Sequence, residues 1–83
     1  ASIELHPLNI YPNPSNDIVN VAFDNKNQTK YLMRMFNVTG QEVMRIENIT
    51  DSKFVIENEN LSSGYYTIEL SGDKIFRGKI VLK

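Results

Sequence analysis

Residues 61–83, LSSGYYTIELSGDKIFRGKIVLK, decide the fold class of this chain. Within residues 65–70 apolar side chains occupy every second position, which is the period of a strand with one buried face. Residues 71–73, Ser-Gly-Asp, predict a turn, and a last strand is expected to run from there through Leu82. Two alternating segments joined by a short turn predict an antiparallel hairpin with one apolar face.

The same alternation recurs upstream, broken by turn residues about every 8–12 positions, a spacing typical of sandwiches and barrels. Gly40 is expected to take the positive-φ position of a bulged hairpin turn, and Gly64 that of a second tight turn. Further strands are predicted over residues 3–11 (interrupted by Pro7), 17–23, 31–35, 42–46 and 54–56. Because no stretch has helical periodicity, the chain is predicted to be an all-β, antiparallel β-sandwich of six or seven strands.

Composition excludes several classes of function. At 83 residues the chain is one domain that buries about 60–65% of its unfolded surface, which leaves little room for a deep substrate cavity. Its net charge of −1 disfavours nucleic acid as a partner. No apolar run approaches the length of a membrane span, and no signal peptide opens the chain. We therefore expect either a cytoplasmic domain or a piece of a longer exported protein; the absence of cysteine does not decide between them.

No pattern in the sequence predicts catalysis. His6 is the single histidine, has no patterned partner, and is interpreted as a plain surface residue. Glu57 and Glu59 would share a strand face as solvated charge, because the chain is too small to build a sugar cleft around them. We predict a non-enzyme with no cofactor and no small-molecule substrate. A structural calcium site in a loop remains an open alternative, although the EF-hand spacing is absent. Its candidate ligands are Asp24, Asn25 and Asp73.

The last ten positions hold four of the nine basic residues: Lys74, Arg77, Lys79 and Lys83. Arg77, Lys79 and Val81 would share one face of the last strand, opposite an apolar face. One interpretation is an edge strand protected from aggregation by its charge. The other is a cationic, strand-shaped surface for a partner.

Three segments, read in order, and the terminal stretch after them resemble the C-terminal sorting domain of the type IX secretion system (Por secretion system), type A. Tyr11-Pro12-Asn13-Pro14 is similar to the family's Y-P-N-P, and residues 35–43 are similar to its "v-y-d-x-x-G-x-x-v" hairpin, with Asn37 where Asp is common. Residues 61–66 are similar to its "L-x-x-G-x-Y" turn, and residues 79–83 to its terminal "K-x-x-x-K". The resemblance covers residues 8–83.

The resemblance implies an immunoglobulin-like sandwich of about seven strands, placed at the carboxyl end of a longer precursor. We take residues 1–83 as one sorting domain, with residues 1–7 as an alternative part of the linker to the cargo. The implied partners are the outer-membrane secretion machinery, a sortase that removes the domain, and an N-terminal cargo domain. The implied location is the periplasm in transit, then the cell surface or the extracellular space.

A sorting domain is expected to be recognised while folded, through its last strand and the adjacent Gly64 turn. The expected recognition residues are Gly64, Tyr66, Lys79, Val81, Lys83, Pro12, Asn13 and Pro14. For the Pro12–Pro14 segment we prefer a second interpretation, a rigid entry into the sandwich, over a role in recognition. Two alternatives remain: a carbohydrate-binding or adhesive module of an exported enzyme, with Tyr65 as its outward aromatic, and an inert spacer.

Overall fold

The protein, seen in a computed structural model that describes residues 5–12, 17–57 and 61–83, is built from strands. The strands are β1 (Leu5–Pro7), β2 (Asn9–Tyr11), β3 (Ile18–Ala22), β4 (Tyr31–Phe36), β5 (Glu42–Ile49), β6 (Lys53–Glu57), β7 (Gly64–Ser71) and β8 (Ile75–Leu82). Within these ranges no helix has the length and apolar character needed to cross a bilayer. The predicted all-β class is confirmed.

Two sheets form the layers of the sandwich. The larger sheet has the order β1-β8-β7-β4-β5, and the smaller has the order β2-β3-β6. The predicted hairpin of the last two strands is present, since β7 pairs antiparallel with β8 from Gly64↔Leu82 to Ser71↔Ile75. The chain passes from one sheet to the other between β5 and β6, through the turn at residues 50–52.

The first predicted strand, residues 3–11, differs from expectation because it divides at Leu8. β1 lies parallel to β8, whereas β2 lies antiparallel to β3 in the other sheet. This division gives eight strands instead of about seven, and it makes the β1–β8 pair an exception to the antiparallel prediction. Pro7 lacks the N–H that a longer regular ladder needs, which favours a change of sheet at this point. Ile3 lies outside the described residues.

The core lies where the inward faces of the two sheets meet. Val19, Val21 and Ile56 come from the smaller sheet and are almost completely buried. The larger sheet contributes Met33, Met35, Ile68, Leu70, Phe76, Ile80 and Leu82, all 3% exposed or less. These are the alternating apolar positions of the sequence, and their burial supplies most of the stabilisation of a disulfide-free domain. Their polar neighbours along each strand are therefore turned outward, where a partner can contact them.

Candidate recognition surface

Two features shape the bend at the start of β7: the backbone conformation of Gly64 and a hydrogen bond from Tyr66. Gly64 has φ +149°, in the positive-φ region that favours glycine, as its predicted turn role requires. The Tyr66 hydroxyl donates a hydrogen bond of 2.6 Å to the Ser62 carbonyl, and the Tyr66 side chain is only 7% exposed. Tyr66, one of the predicted recognition residues, is thus placed in the core, where it can shape the bend but presents little surface to a partner.

The end of β8 lies directly beside this bend. In the β7–β8 ladder Gly64 faces Leu82, and Lys79 faces Thr67. Lys79 is exposed and Val81 is half-buried, both on the outward side of the sheet, and Lys83 follows as an exposed residue. The predicted recognition residues of the turn and of the last strand therefore meet at one end of the larger sheet.

Two exposed apolar side chains complete this area, and sequence analysis did not assign them to the site. Tyr65 is 68% exposed, and Val38, from the turn between β4 and β5, is 77% exposed. Together with Asn37, Thr67 and Lys79 they line a shallow groove of about 250 Å³. We call this groove and its lining residues the Gly64-end surface. The alternation of residues 65–70 predicts that Tyr65 faces outward, but no sequence pattern around Val38 indicates that it lies near β7.

Charged residues cover the outward face next to this surface. Across neighbouring strands, Arg77 faces Glu69, Glu69 faces Arg34, and Arg34 faces Arg45. Arg77 donates a hydrogen bond to the Glu69 carboxylate. The Arg34 guanidinium lies 4.9 Å from the centre of the Phe36 ring, a cation–π contact that adds to the ordering of the arginine.

Glu42, at the start of β5, connects two of these arginines. Its Oε1 accepts hydrogen bonds from Arg34 Nε at 2.8 Å and from Arg45 Nη2 at 3.2 Å. The hydrogen bond from Arg34, followed by that from Arg45, lowers the pKa of Glu42 below its ordinary value of 4.5. The carboxylate is therefore charged at neutral pH and pairs with both guanidinium groups on the surface of the sheet.

The predicted calcium-loop residues gather at the opposite end of the sheet. Asp24, Asn25 and Asp73 line one hollow of about 160 Å³, but Lys26 and Lys74 line it as well. Positive side chains at the same hollow disfavour a cation. In the part of the chain that the structure describes, no group of three or more His, Cys, Asp or Glu side chains is arranged to hold a metal ion.

Asn25 instead has a structural role in this hollow. Its amide nitrogen donates to the carbonyls of Thr29 and Thr50, at 2.9 and 3.0 Å. Its Oδ1 accepts from the backbone N–H and the hydroxyl of Thr29, at 3.2 and 3.0 Å. The buried amide thus fastens the loop before β4 to the turn after β5, which is the role of a satisfied buried polar group.

His6 also has a packing role. It is half-buried instead of plainly exposed, because its ring packs 5.3 Å from that of Phe76 across the β1–β8 pair. Pro12 follows β2 as an exposed residue. Asn13 and Pro14 of the predicted recognition set, and Glu59 of the carboxylate pair, lie outside the described residues.

These features define the class of protein: a small β-sandwich with a shallow groove, lined by exposed apolar side chains and a lysine, at one end of its larger sheet. The family model of the secretion system C-terminal sorting domain matches residues 9–83. The chain therefore belongs to this family, the sorting domains of type IX secretion. A search of curated proteins finds no match. Membership means that the domain directs an N-terminally attached cargo to the secretion machinery for export across the outer membrane.

Proposed function

We propose that this domain is recognised in its folded state by the outer-membrane secretion machinery, which contacts the Gly64-end surface. The observation that carries this proposal is the pair of highly exposed apolar side chains, Val38 and Tyr65, beside Lys79 in one groove. Exposed apolar side chains grouped next to charge are typical of protein contact sites. Neither Tyr65 nor Val38 belongs to the hydrophobic core of the described residues or packs against it, so packing of the core does not explain these two apolar side chains.

The proposal extends to the fate of the precursor. The cargo passes through the periplasm, the machinery receives it at the outer membrane, and a sortase removes the domain as the cargo reaches the cell surface or the medium. The proposal assigns the domain no catalytic step, in keeping with a family of sorting domains. In this scheme Gly64 and Tyr66 hold the bend in shape, while Tyr65, Lys79 and Val81 provide the contact.

The test must leave the core intact. Deleting residues 79–83 is unsuitable, because it removes Ile80 and Leu82, which are 0% and 2% exposed. We instead expect Tyr65→Ala and Lys79→Glu, each at an exposed position, to lower secretion of a fused reporter cargo about tenfold or more, as loss of a central contact does. Thermal denaturation of the isolated variants should remain close to that of the wild type.

Lys30→Glu is the matched control. Lys30 is exposed and precedes β4 at the far end of the larger sheet, so the same charge change there should leave secretion unchanged. Normal export of both Tyr65→Ala and Lys79→Glu would refute recognition at this surface. Equal loss of export in Lys30→Glu would show that net charge, and not the surface, governs sorting.

One observation supports a second candidate function, a carbohydrate-binding module. Tyr65 is an exposed aromatic of the kind that stacks on sugar rings. However, the other exposed aromatic among the described residues, Tyr11, lies in β2 of the other sheet, so the two rings cannot form one platform. A pull-down on insoluble polysaccharides tests this candidate, with retention that Tyr65→Ala abolishes as the supporting result.

A further inference from the structure

β6 is the most regular of the sheet edges. It pairs with β3 over five consecutive residues, from Ile18↔Glu57 to Ala22↔Lys53, without a register shift. The edge strand β5, in contrast, has two register shifts against β4 and a positive φ at Asn48. The remaining edges, β1 and β2, are three residues each. Bulges and short lengths are the usual protections of a sheet edge, and β6 has neither.

The hydrogen-bond pattern shows which main-chain groups of β6 face outward. Phe23 N–H donates to the Ser52 carbonyl at 2.9 Å, one step before the Ala22↔Lys53 pair of the ladder. Bonded and non-bonded pairs alternate along an antiparallel ladder, so Phe54 and Ile56 are the residues bonded to β3. The N–H and C=O groups of Lys53, Val55 and Glu57 therefore point away from β3, toward the side of β6 that pairs with no other strand of the described residues.

The side chains of those same three residues are also outward and exposed, whereas Ile56 is buried. In an antiparallel pairing of two β6 strands centred on Val55, Lys53 of each copy faces Glu57 of the other, and Val55 faces Val55. Opposite charges and β-branched residues in facing positions stabilise paired strands. A parallel pairing in register would instead place like charges together, so the sequence of β6 is complementary to itself in one orientation only.

We propose that β6 is a self-association site at which two copies of this domain pair edge to edge, antiparallel, about a twofold axis at Val55. The pairing satisfies the outward N–H and C=O groups of Lys53, Val55 and Glu57, and joins two three-stranded sheets into one of six strands. This proposal is independent of recognition at the Gly64-end surface, which lies on the larger sheet. The contact is small, so the dimer is expected to be weak and concentration-dependent.

The first test is sedimentation equilibrium over a concentration series. The wild type should dimerise, and Lys53→Glu and Glu57→Lys, each alone, should weaken self-association about tenfold or more, because each places like charges in facing positions. An equimolar mixture of the two variants should form a 1:1 heterodimer, since residues 53 and 57 of the two chains then face each other with opposite charges. Lys26→Glu, in an exposed turn outside β6, is the charge-matched control and should dimerise as the wild type does.

The mixture also controls for misfolding. If a single variant failed to dimerise because it was unfolded, it would not form the heterodimer either. Amide hydrogen exchange gives a second measurement: at high concentration Lys53, Val55 and Glu57 should gain protection, while the amides of Phe54 and Ile56 should change little. A wild type that stays monomeric at every concentration would overturn the proposal. The proposal would also be overturned if the single variants self-associated as strongly as the wild type, or if their mixture associated no better than either variant alone. Lys53 and Glu57 would then serve only to prevent edge-to-edge aggregation.

Discussion

Gly64 holds a conformation that other residues adopt with strain. A Cβ atom added at its φ of +149° meets no atom within 4 Å, so backbone strain alone opposes a substitution. We therefore expect Gly64→Ala to lower the free energy of unfolding by about 1–3 kcal/mol, measured by urea denaturation. The adjacent Ser63→Ala, at an exposed position, should change it by less than about 0.5 kcal/mol. Equal unfolding midpoints for both variants would contradict the strained turn.

Among the elements, the β4–β5 hairpin depends on the side chain of Asn37. Its Oδ1 accepts from the N–H groups of Thr39 and Gln41, at 3.1 and 3.0 Å, and from the Thr39 hydroxyl at 2.8 Å. Asp, common here in the family that the sequence resembles, offers the same acceptors. We expect Asn37→Ala to cost about 1 kcal/mol and Asn37→Asp clearly less, as thermal melts would show. An Asp variant as unstable as the Ala variant would refute this account.

The same pair of strands should give the domain a pH-dependent contribution to stability through Glu42. Its pKa is lowered in the folded protein, so the unfolded chain binds more protons and stability rises with pH. The contribution is complete above the ordinary pKa and is lost as pH falls through the lowered value. We expect the stability advantage of the wild type over Glu42→Gln to shrink between about pH 6 and pH 3.

Chemical denaturation at each pH checks this prediction. Glu47→Gln is the matched control, because Glu47 approaches Arg45 only to 4.0 Å and is 65% exposed. Its difference from the wild type in the free energy of unfolding should be small, because so long and exposed an ion pair contributes little. An advantage of the wild type over Glu42→Gln that grows on acidification would have the wrong sign for a lowered pKa.

At the level of the whole molecule, β1 decides how far the folded unit extends. It pairs with β8, and His6 packs against Phe76, although the family model begins at residue 9. We expect deletion of residues 1–7 to lower the free energy of unfolding by about 1–3 kcal/mol, as exposing a large apolar side chain does. Deletion of residues 1–4 alone, which keeps β1, is the control. Identical thermal melts for the two truncations would assign residues 1–7 to a linker.

Local pattern was enough to predict the strands after residue 16 and the faces that they turn outward. Period-two alternation is a property of consecutive residues, so Lys79 and Val81 could be placed opposite the core positions of β8 before any fold was known. The positive φ of Gly40 and Gly64 was likewise predicted from turn chemistry within a few residues. The immunoglobulin-like arrangement remains a prediction.

The partners of those strands could not be predicted in the same way. Main-chain hydrogen bonds form equally well between many pairs of strands. The packing of the whole core therefore decides that residues 5–11 divide between two sheets and that β1 lies parallel to β8. The same long-range pairing brings Val38 next to Tyr65 and leaves β6 as a regular edge. Alternation along one strand specifies which side chains point outward, but only the assembled sheets specify what lies beside them.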